Sequence, residues 1–127
     1  MPKKEGYPKY YRSPKILKGD GKCRSAMEEN VFNELDRDPD VVSYTPEPFR
    51  IPYEYDGKSF KYVPDILITY KNGSKELVEI KPIYEVGEER NMAKFLAARQ
   101  FSQLYGYRFR IWVRESIGYL TYYVGHN

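Results

Sequence analysis

The sequence predicts an α/β domain in which a mixed β-sheet is flanked by helices. Three observations support this prediction: a helix-forming segment comes first, a run of β-segments separated by tight-turn dipeptides follows, and a second helix-forming segment precedes a further strand. Tight turns make the strands that they join antiparallel, whereas a helical crossover returns the chain parallel to its starting strand. The predicted order of elements is therefore α-β-β-β-α-β.

The first helix is predicted to begin near Ser25. Ser25 is a favourable N-cap, and Glu28 follows it at the spacing of a capping box. Apolar residues then recur at helical spacing, at Met27, Val31, Phe32 and Leu35. Asp38-Pro39 ends the helix, because proline cannot continue it.

The central β region is predicted from alternating side chains and from two turn signals. Asp56-Gly57 and Asn72-Gly73 are both dipeptides that favour tight hairpin turns. The three strands that these turns join are predicted at 49–55, Ser59–Tyr70 and Lys75–Lys81, and Val41–Tyr44 before them is a further, short strand candidate.

The second helix is predicted from about Asn91, as its N-cap, to Tyr105, with Gly106 as its stop. The alternating segment 107–113 then predicts another strand. Residues 119–124 fit either a last edge strand or the end of a helix.

The charge distribution divides the chain at residue 24. The 127 residues carry a formal net charge of +3. Residues 1–24 hold eight lysines and arginines against two acidic residues, a charge of +6, which leaves −3 for residues 25–127. We therefore divide the chain into a basic N-terminal arm, residues 1–24, and one domain, residues 25–127.

Such an arm is typical of proteins that bind a polyanion, usually nucleic acid, and it equally fits a solvated tail. On the first alternative, nucleic acid is the partner. The arm residues that we expect to contact it are Lys9, Arg12, Lys15, Lys18, Lys22 and Arg24.

Composition argues against several other classes of protein. The single cysteine, Cys23, cannot form a disulfide framework, and no paired Cys/His spacing predicts structural zinc. No apolar run approaches the roughly 18 residues of a membrane span, and the N-terminus lacks the apolar core of a signal peptide. We expect a soluble, cytoplasmic protein with no membrane partner.

Two strand segments carry charged residues among apolar neighbours. Segment 62–68 contains Asp65, and segment 76–82 contains Glu79 and Lys81. Buried charges are costly unless they are paired or bind a metal. Glu79 and Lys81 are two residues apart, so they share one face of their strand.

The loop between these strands decides whether the two acids meet. A two-residue turn would place Asp65 opposite Ile80, with the carboxylates of Asp65 and Glu79 on opposite faces. A three-residue loop, Lys71–Gly73, with Gly73 in the left-handed region, would place Asp65 opposite Glu79. If a metal site exists, we predict this second register, or a bulge near Pro64 with the same effect.

In the second register two carboxylates converge beside an ammonium group. Hard oxygen ligands favour Mg²⁺ or Mn²⁺, and the main-chain carbonyl of Ile80 would add an oxygen. Lys81 would position water or stabilise charge on a phosphate. Glu28 lies within the apolar stripe of the first helix, and it is either a capping residue or a third acid of the site.

These residues resemble a known signature. Glu28, Pro64-Asp65 and Glu79-Ile80-Lys81 are similar to the PD-(D/E)XK pattern of restriction-endonuclease-like nucleases. More narrowly, residues 25–117 resemble the N-terminal domain of TnsA-type transposon endonucleases and the phage head-completion nucleases. The matching segments are 25–28, 38–44, 64–67, 77–82, 91–95 and 106–111.

The resemblance implies a restriction-endonuclease-like core and a divalent-metal-dependent endonuclease that hydrolyses phosphodiester bonds in DNA. Carried over residue by residue, it implies that Asp65 and Glu79 bind Mg²⁺ or Mn²⁺ and that Lys81 assists the attacking water. Glu28 would add a ligand, through the metal or through its water.

The chain departs from the family pattern in two places. Glu47 stands before Pro48 where a glutamine is frequent, and the helical partner-binding domain of the transposon enzymes is missing. We therefore expect a stand-alone nuclease, phage-encoded and acting in the host cytoplasm. A homodimer and a larger phage or transposition assembly stay open. The competing class is a non-catalytic module that binds nucleic acid or protein on a nuclease-like fold.

Overall fold

The structure is a computed structural model that describes residues 6, 8–17, 21–82, 85, 87–115 and 118–123. Helix α1 spans Ala26–Arg37 and helix α2 spans Glu89–Tyr105. The strands are β1 (Lys9–Tyr10), β2 (Lys22–Cys23), β3 (Val41–Pro46), β4 (Ile51–Tyr55), β5 (Lys58–Tyr62), β6 (Ile66–Tyr70), β7 (Lys75–Pro82), β8 (Arg108–Glu115) and β9 (Gly118–Tyr123).

The central sheet has five strands in the order β3-β6-β7-β8-β9. β7 and β8 are parallel and are joined through α2, whereas the other three neighbouring pairs are antiparallel. This confirms the predicted α/β fold with a mixed sheet, including the parallel return after the second helix. The segment that fitted either an edge strand or a helix end is strand β9.

The predicted path of the middle strands is wrong at one point. Segment 59–70 is not one strand, because the chain leaves the β-ladder at residues 63–65 and resumes as β6. Pro64 has no N–H to donate to a ladder, which favours a break there. As a result β4 and β5 form a separate hairpin, and β3 pairs with β6. The predicted Asp56-Gly57 turn is confirmed, with positive φ angles of 53° and 71°.

The loop between β6 and β7 adopts the three-residue form. Tyr70 N–H donates to the Ser74 carbonyl at 2.9 Å, and Ile66 lies opposite Val78 in the ladder. Gly73 has a φ of 86°, the left-handed conformation that this loop requires and that side-chain-bearing residues disfavour. This is the predicted register, and its continuation sets Asp65 across from Glu79.

Helix α1 begins as predicted, whereas the N-cap of α2 is Glu88, three residues before the predicted Asn91. The Ser25 hydroxyl accepts from the Glu28 N–H at 3.3 Å, which confirms the N-cap. The predicted N-cap Asn91 instead lies inside the first turn of α2, where it is buried and its Nδ2 donates to the Glu85 carbonyl at 2.8 Å. Gly106 ends α2 in the left-handed conformation, as predicted.

The sheet separates two apolar cores. One lies between the sheet and α1 and includes Phe32, Val78 and Ile80. The other includes Phe95 of α2, Leu77 of β7 and the inner face of the β4–β5 hairpin. Because β7 alternates its side chains between these cores, its acidic residue Glu79 points toward the α2 side.

The described part of the basic arm packs against the domain. The Tyr11 hydroxyl donates to Asp36 Oδ2 at 2.6 Å, Ile16 bridges to Tyr44 of β3, and Cys23 is fully buried. Among the residues described, no helix combines the length and apolar character that crossing a membrane would need.

Candidate active site

The carboxylates of Asp65 and Glu79 meet at the start of β6 and the middle of β7. Asp65 Oδ2 accepts from the Ile80 N–H at 2.7 Å, which fixes the Asp65 side chain against the strand that carries Glu79. The two carboxyl groups are close enough to share a hydrogen bond. The convergence that the loop register predicts is therefore present.

Glu79 is a buried acid in an unfavourable position for a negative charge. Its side chain is 4% exposed, and burial together with the Asp65 charge holds the pKa of Glu79 well above its usual value. Two carboxyls that face each other in such a place retain a proton, because ionising both would set two charges side by side. A cation between them would remove that penalty.

Lys81 lies beside this pair of acids. It follows Glu79 by two residues on the same strand face, and it is half-buried. Its positive charge lowers the pKa of Glu79, against the larger opposing effects of burial and Asp65. The ammonium predicted to accompany the two carboxylates is thus within electrostatic range of them.

Glu28 approaches Asp65 from α1. Burial first, and the Asp65 charge second, raise the pKa of Glu28 above its usual value. The Arg24 N–H and the Ser25 hydroxyl stabilise its ionised form. Glu28 thus has the predicted capping position at the start of α1 and lines a narrow cleft with Asp65, while its role as a metal ligand stays a prediction.

The three acids do not form a complete metal-ligand cluster. Within residues 6–115, gaps excepted, and 118–123, no three acidic, histidine or cysteine side chains lie together in a way that would hold an ion. The donor chemistry of Asp65 and Glu79 does fit a divalent cation, since both side chains offer hard carboxylate oxygens. The main chain of Ile80 lies next to Asp65, because the Ile80 N–H donates to the Asp65 carboxylate.

Two residues that sequence reasoning missed contact the acids. The Tyr62 hydroxyl donates to Glu79 Oε2. The Glu47 N–H donates to the Asp65 carbonyl at 2.7 Å, and Glu47 has a φ of 45°, which is uncommon for a residue with a side chain. The sequence signal that could have indicated Glu47 is its position before Pro48, where the family pattern has a different residue. For Tyr62 the sequence offered only its closeness to Asp65 along the chain.

The predicted DNA-contacting residues of the arm have different surroundings. Lys22 and Arg24 line the cleft that contains Glu28 and Asp65, and Arg24 pairs with Glu47 at 2.5 Å. Lys15 Nζ donates to the carbonyls of Leu35 and Asp38, at 3.2 and 2.8 Å, at the end of α1.

The other three arm residues lie farther along it. Lys9 pairs with Glu29 at 3.5 Å, and Arg12 is exposed. Lys18 is outside the described residues. The structure thus brings two of the six predicted residues, Lys22 and Arg24, to the acidic cleft.

Comparison with known proteins adds a family match. The model of the TnsA-like endonuclease N-terminal family matches residues 38–113, which is more than half of the chain. A relative, the head completion nuclease of Enterobacteria phage T4, is 33% identical over 76 residues. That match covers 58% of this chain and 48% of the relative, so the chain spans about half the length of the curated relative that it matches.

Proposed function

The chain belongs to the family of TnsA-like endonuclease N-terminal domains, and from this membership we propose that it is a DNA endonuclease that depends on Mg²⁺ or Mn²⁺. The observation that carries the proposal is the meeting of Asp65 and Glu79 beside Lys81. The phage relative, whose name describes a nuclease, supports the same class of activity.

In this proposal Asp65 and Glu79 hold the cation. Glu28 contributes through the cation or its water, and the Ile80 carbonyl is a further oxygen donor. A divalent ion held there supplies a Lewis acid that activates water and offsets charge on the scissile phosphate.

The side chains of the protein do the remaining work. Lys81 orients the attacking water by donating to it and faces the negative charge that grows on the phosphate oxygens. The water oxygen forms a bond to phosphorus as the bond from phosphorus to the leaving sugar oxygen breaks. The proton lost by the water passes to solvent, and a second proton returns to the leaving oxygen.

In this proposal Lys22 and Arg24, which line the cleft, hold the DNA backbone. Arg24 pairs with the exposed Glu47, so its guanidinium is oriented while remaining about half exposed to solvent. Fixed cations at the mouth of an acidic cleft favour approach of phosphate groups. We propose that a homodimer, or a larger phage or transposition assembly, would bring two such sites to the two DNA strands.

A non-catalytic nucleic-acid-binding module is the second candidate. One observation favours it, namely that no three-ligand group is assembled among the described residues. Cleavage assays separate the two candidates, because a binding module would retain DNA affinity and lack any metal-dependent cutting.

The test is cleavage of supercoiled plasmid by the purified full chain. We expect nicking or linearisation with Mg²⁺ or Mn²⁺, none with EDTA, and at least a hundredfold loss in Asp65→Asn, Glu79→Gln and Lys81→Met. Glu76→Gln is the matched control, because Glu76 is a buried acid on the opposite face of the same strand. Cutting that survives all three site substitutions would refute the site assignment.

A further inference from the structure

One short segment, residues 62–65, contains Asp65 and also contacts Glu79, the other acid of the pair. It joins the β4–β5 hairpin to β6 at the break in the ladder. At its end it supplies Asp65, and at its start the Tyr62 hydroxyl bonds to Glu79 Oε2. The relative position of the two carboxylates therefore depends on this segment.

The Tyr62 ring has little freedom to move. It is 5% exposed, pairs opposite Ile51 in the hairpin and lies in the apolar core on the α2 side. Lys94 Nζ of α2 lies 5.9 Å from the ring centroid, within the range of a cation–π contact. A ring held in this way directs its hydroxyl at one place, the Glu79 carboxylate.

A second glutamate of β7, Glu76, is also bonded by a tyrosine, and the comparison shows what is particular about Tyr62. The Tyr70 hydroxyl donates to Glu76 Oε1 at 2.7 Å, and Glu76 is also buried. Glu76 is neutralised by arginine, since Arg110 lies 3.1 Å from Oε1 and Arg108 lies 3.8 Å from Oε2. Its tyrosine bond adds to a charge pair that is already complete.

Glu79, unlike Glu76, has no arginine paired with it among the described residues. The ion pairs formed by the described residues leave Glu79 out, and the Lys81 charge acts on it at longer range. Tyr62 thus donates a hydrogen bond to Glu79 without adding positive charge. A neutral donor orients a carboxylate and stabilises its ionised form, yet it does not repel an incoming cation as lysine or arginine would.

We propose that Tyr62 is a positioning residue, which holds Glu79 in the orientation that a divalent cation requires. The inference rests on the proposed function, because it takes Glu79 as a metal ligand. Outer partners of metal-binding carboxylates contribute about 10-fold to 100-fold to metal affinity. Tyr62 acts through Glu79 and contacts neither the water nor the phosphate.

The test measures Mn²⁺ binding to the full chain without DNA, by the electron paramagnetic resonance of free Mn²⁺. Tyr62→Phe keeps the ring in the core and removes the hydroxyl. We expect it to weaken Mn²⁺ binding about tenfold or more. Tyr70→Phe is the matched control, because it removes the same kind of bond from Glu76, and we expect unchanged affinity. Both variants are measured well below their unfolding midpoints.

A second readout separates positioning from general destabilisation. In plasmid cleavage, Tyr62→Phe should raise the Mg²⁺ concentration for half-maximal rate, while saturating Mg²⁺ returns the rate toward that of the unaltered protein. Equal Mn²⁺ affinity of Tyr62→Phe and the unaltered protein would overturn this inference alone. Equal weakening by both Phe variants would also overturn it. No Mn²⁺ binding by the unaltered protein, or binding that Asp65→Asn leaves intact, would overturn the proposed metal site together with this inference.

Discussion

Replacing the buried acid Glu79 by glutamine should make the metal-free protein more stable at neutral pH and remove part of its pH dependence. In the unfolded chain the Glu79 carboxyl loses its proton near its usual pKa of 4.5. In the folded chain burial and the Asp65 charge raise that pKa well above this value. Between the two pKa values the folded state binds one proton more than the unfolded state.

The sign and size of the effect follow from this difference. Because the folded state holds the extra proton, the free energy of unfolding falls as the pH rises above 4.5. The loss is at most about 1.4 kcal/mol per pH unit and continues until the folded-state pKa is reached. For a domain of this size that corresponds to a fall of roughly 4–8 °C in the unfolding midpoint per pH unit.

The assay is thermal unfolding, followed by circular dichroism, at pH 5.5, 6.5 and 7.5 in EDTA. The unaltered protein should lose stability across this series, and Glu79→Gln should show a shallower slope and a higher midpoint at pH 7.5. Glu34→Gln, a change of the same kind at an exposed position of α1, should leave the slope as it is. Glu28 also has a raised pKa, so some slope remains in Glu79→Gln.

Adding Mn²⁺ gives the second half of the experiment. A ligand present at one hundred times its dissociation constant stabilises the folded state by about 2.7 kcal/mol. The unaltered protein should gain this stability, while Glu79→Gln should gain much less. A Glu79→Gln variant with the same pH slope as the unaltered protein would refute the reasoning that Glu79 is protonated in the metal-free fold.

Two further predictions concern the loop register and DNA binding. Gly73→Ala should lower the free energy of unfolding by about 1–2 kcal/mol in denaturant titrations, because the φ of 86° at this position is unfavourable for alanine. The added carbon would meet no atom within 4 Å, so the cost comes from the backbone alone. An unchanged midpoint would contradict the left-handed loop. Arg24→Ala should weaken binding to a DNA duplex and reduce the slope of log affinity against log salt by about 1, measured by fluorescence anisotropy in EDTA, whereas Arg37→Ala, at the far end of α1, should leave that slope unchanged.

The parts of the fold that depend on neighbouring residues could be predicted from the sequence. The N-cap of α1 depends on Ser25 and the residues just after it, and the register of β6 against β7 depends on the length of the loop that ends at Gly73. That register alone brings Asp65 to Glu79, so the acidic pair was within reach of sequence reasoning.

The parts that depend on distant residues could not be predicted in the same way. Segment 59–70 continues its β pattern on both sides of Pro64, and the lack of an N–H at Pro64 does not by itself reveal that β5 turns back on β4 instead of extending into β6. The contact of Tyr62 with Glu79 joins residues 17 positions apart and exists only because of that separation. Asn91 is a good N-cap residue by type, yet α2 begins before it, and the Asn91 side chain donates to the Glu85 carbonyl instead of capping the helix.

The parallel pairing of β7 with β8 has a consequence for the order in which the site can form. β7 carries Glu79 and Lys81, and one of its two neighbours, β8, begins only after the 17 residues of α2. Until that crossover closes, β7 has an open edge and its acids lack the apolar wall that Ile111 and Val113 help to build. Closing a long connection costs chain entropy before its contacts form. We therefore expect the surroundings of Glu79 to form late in folding, after β8 has docked against β7.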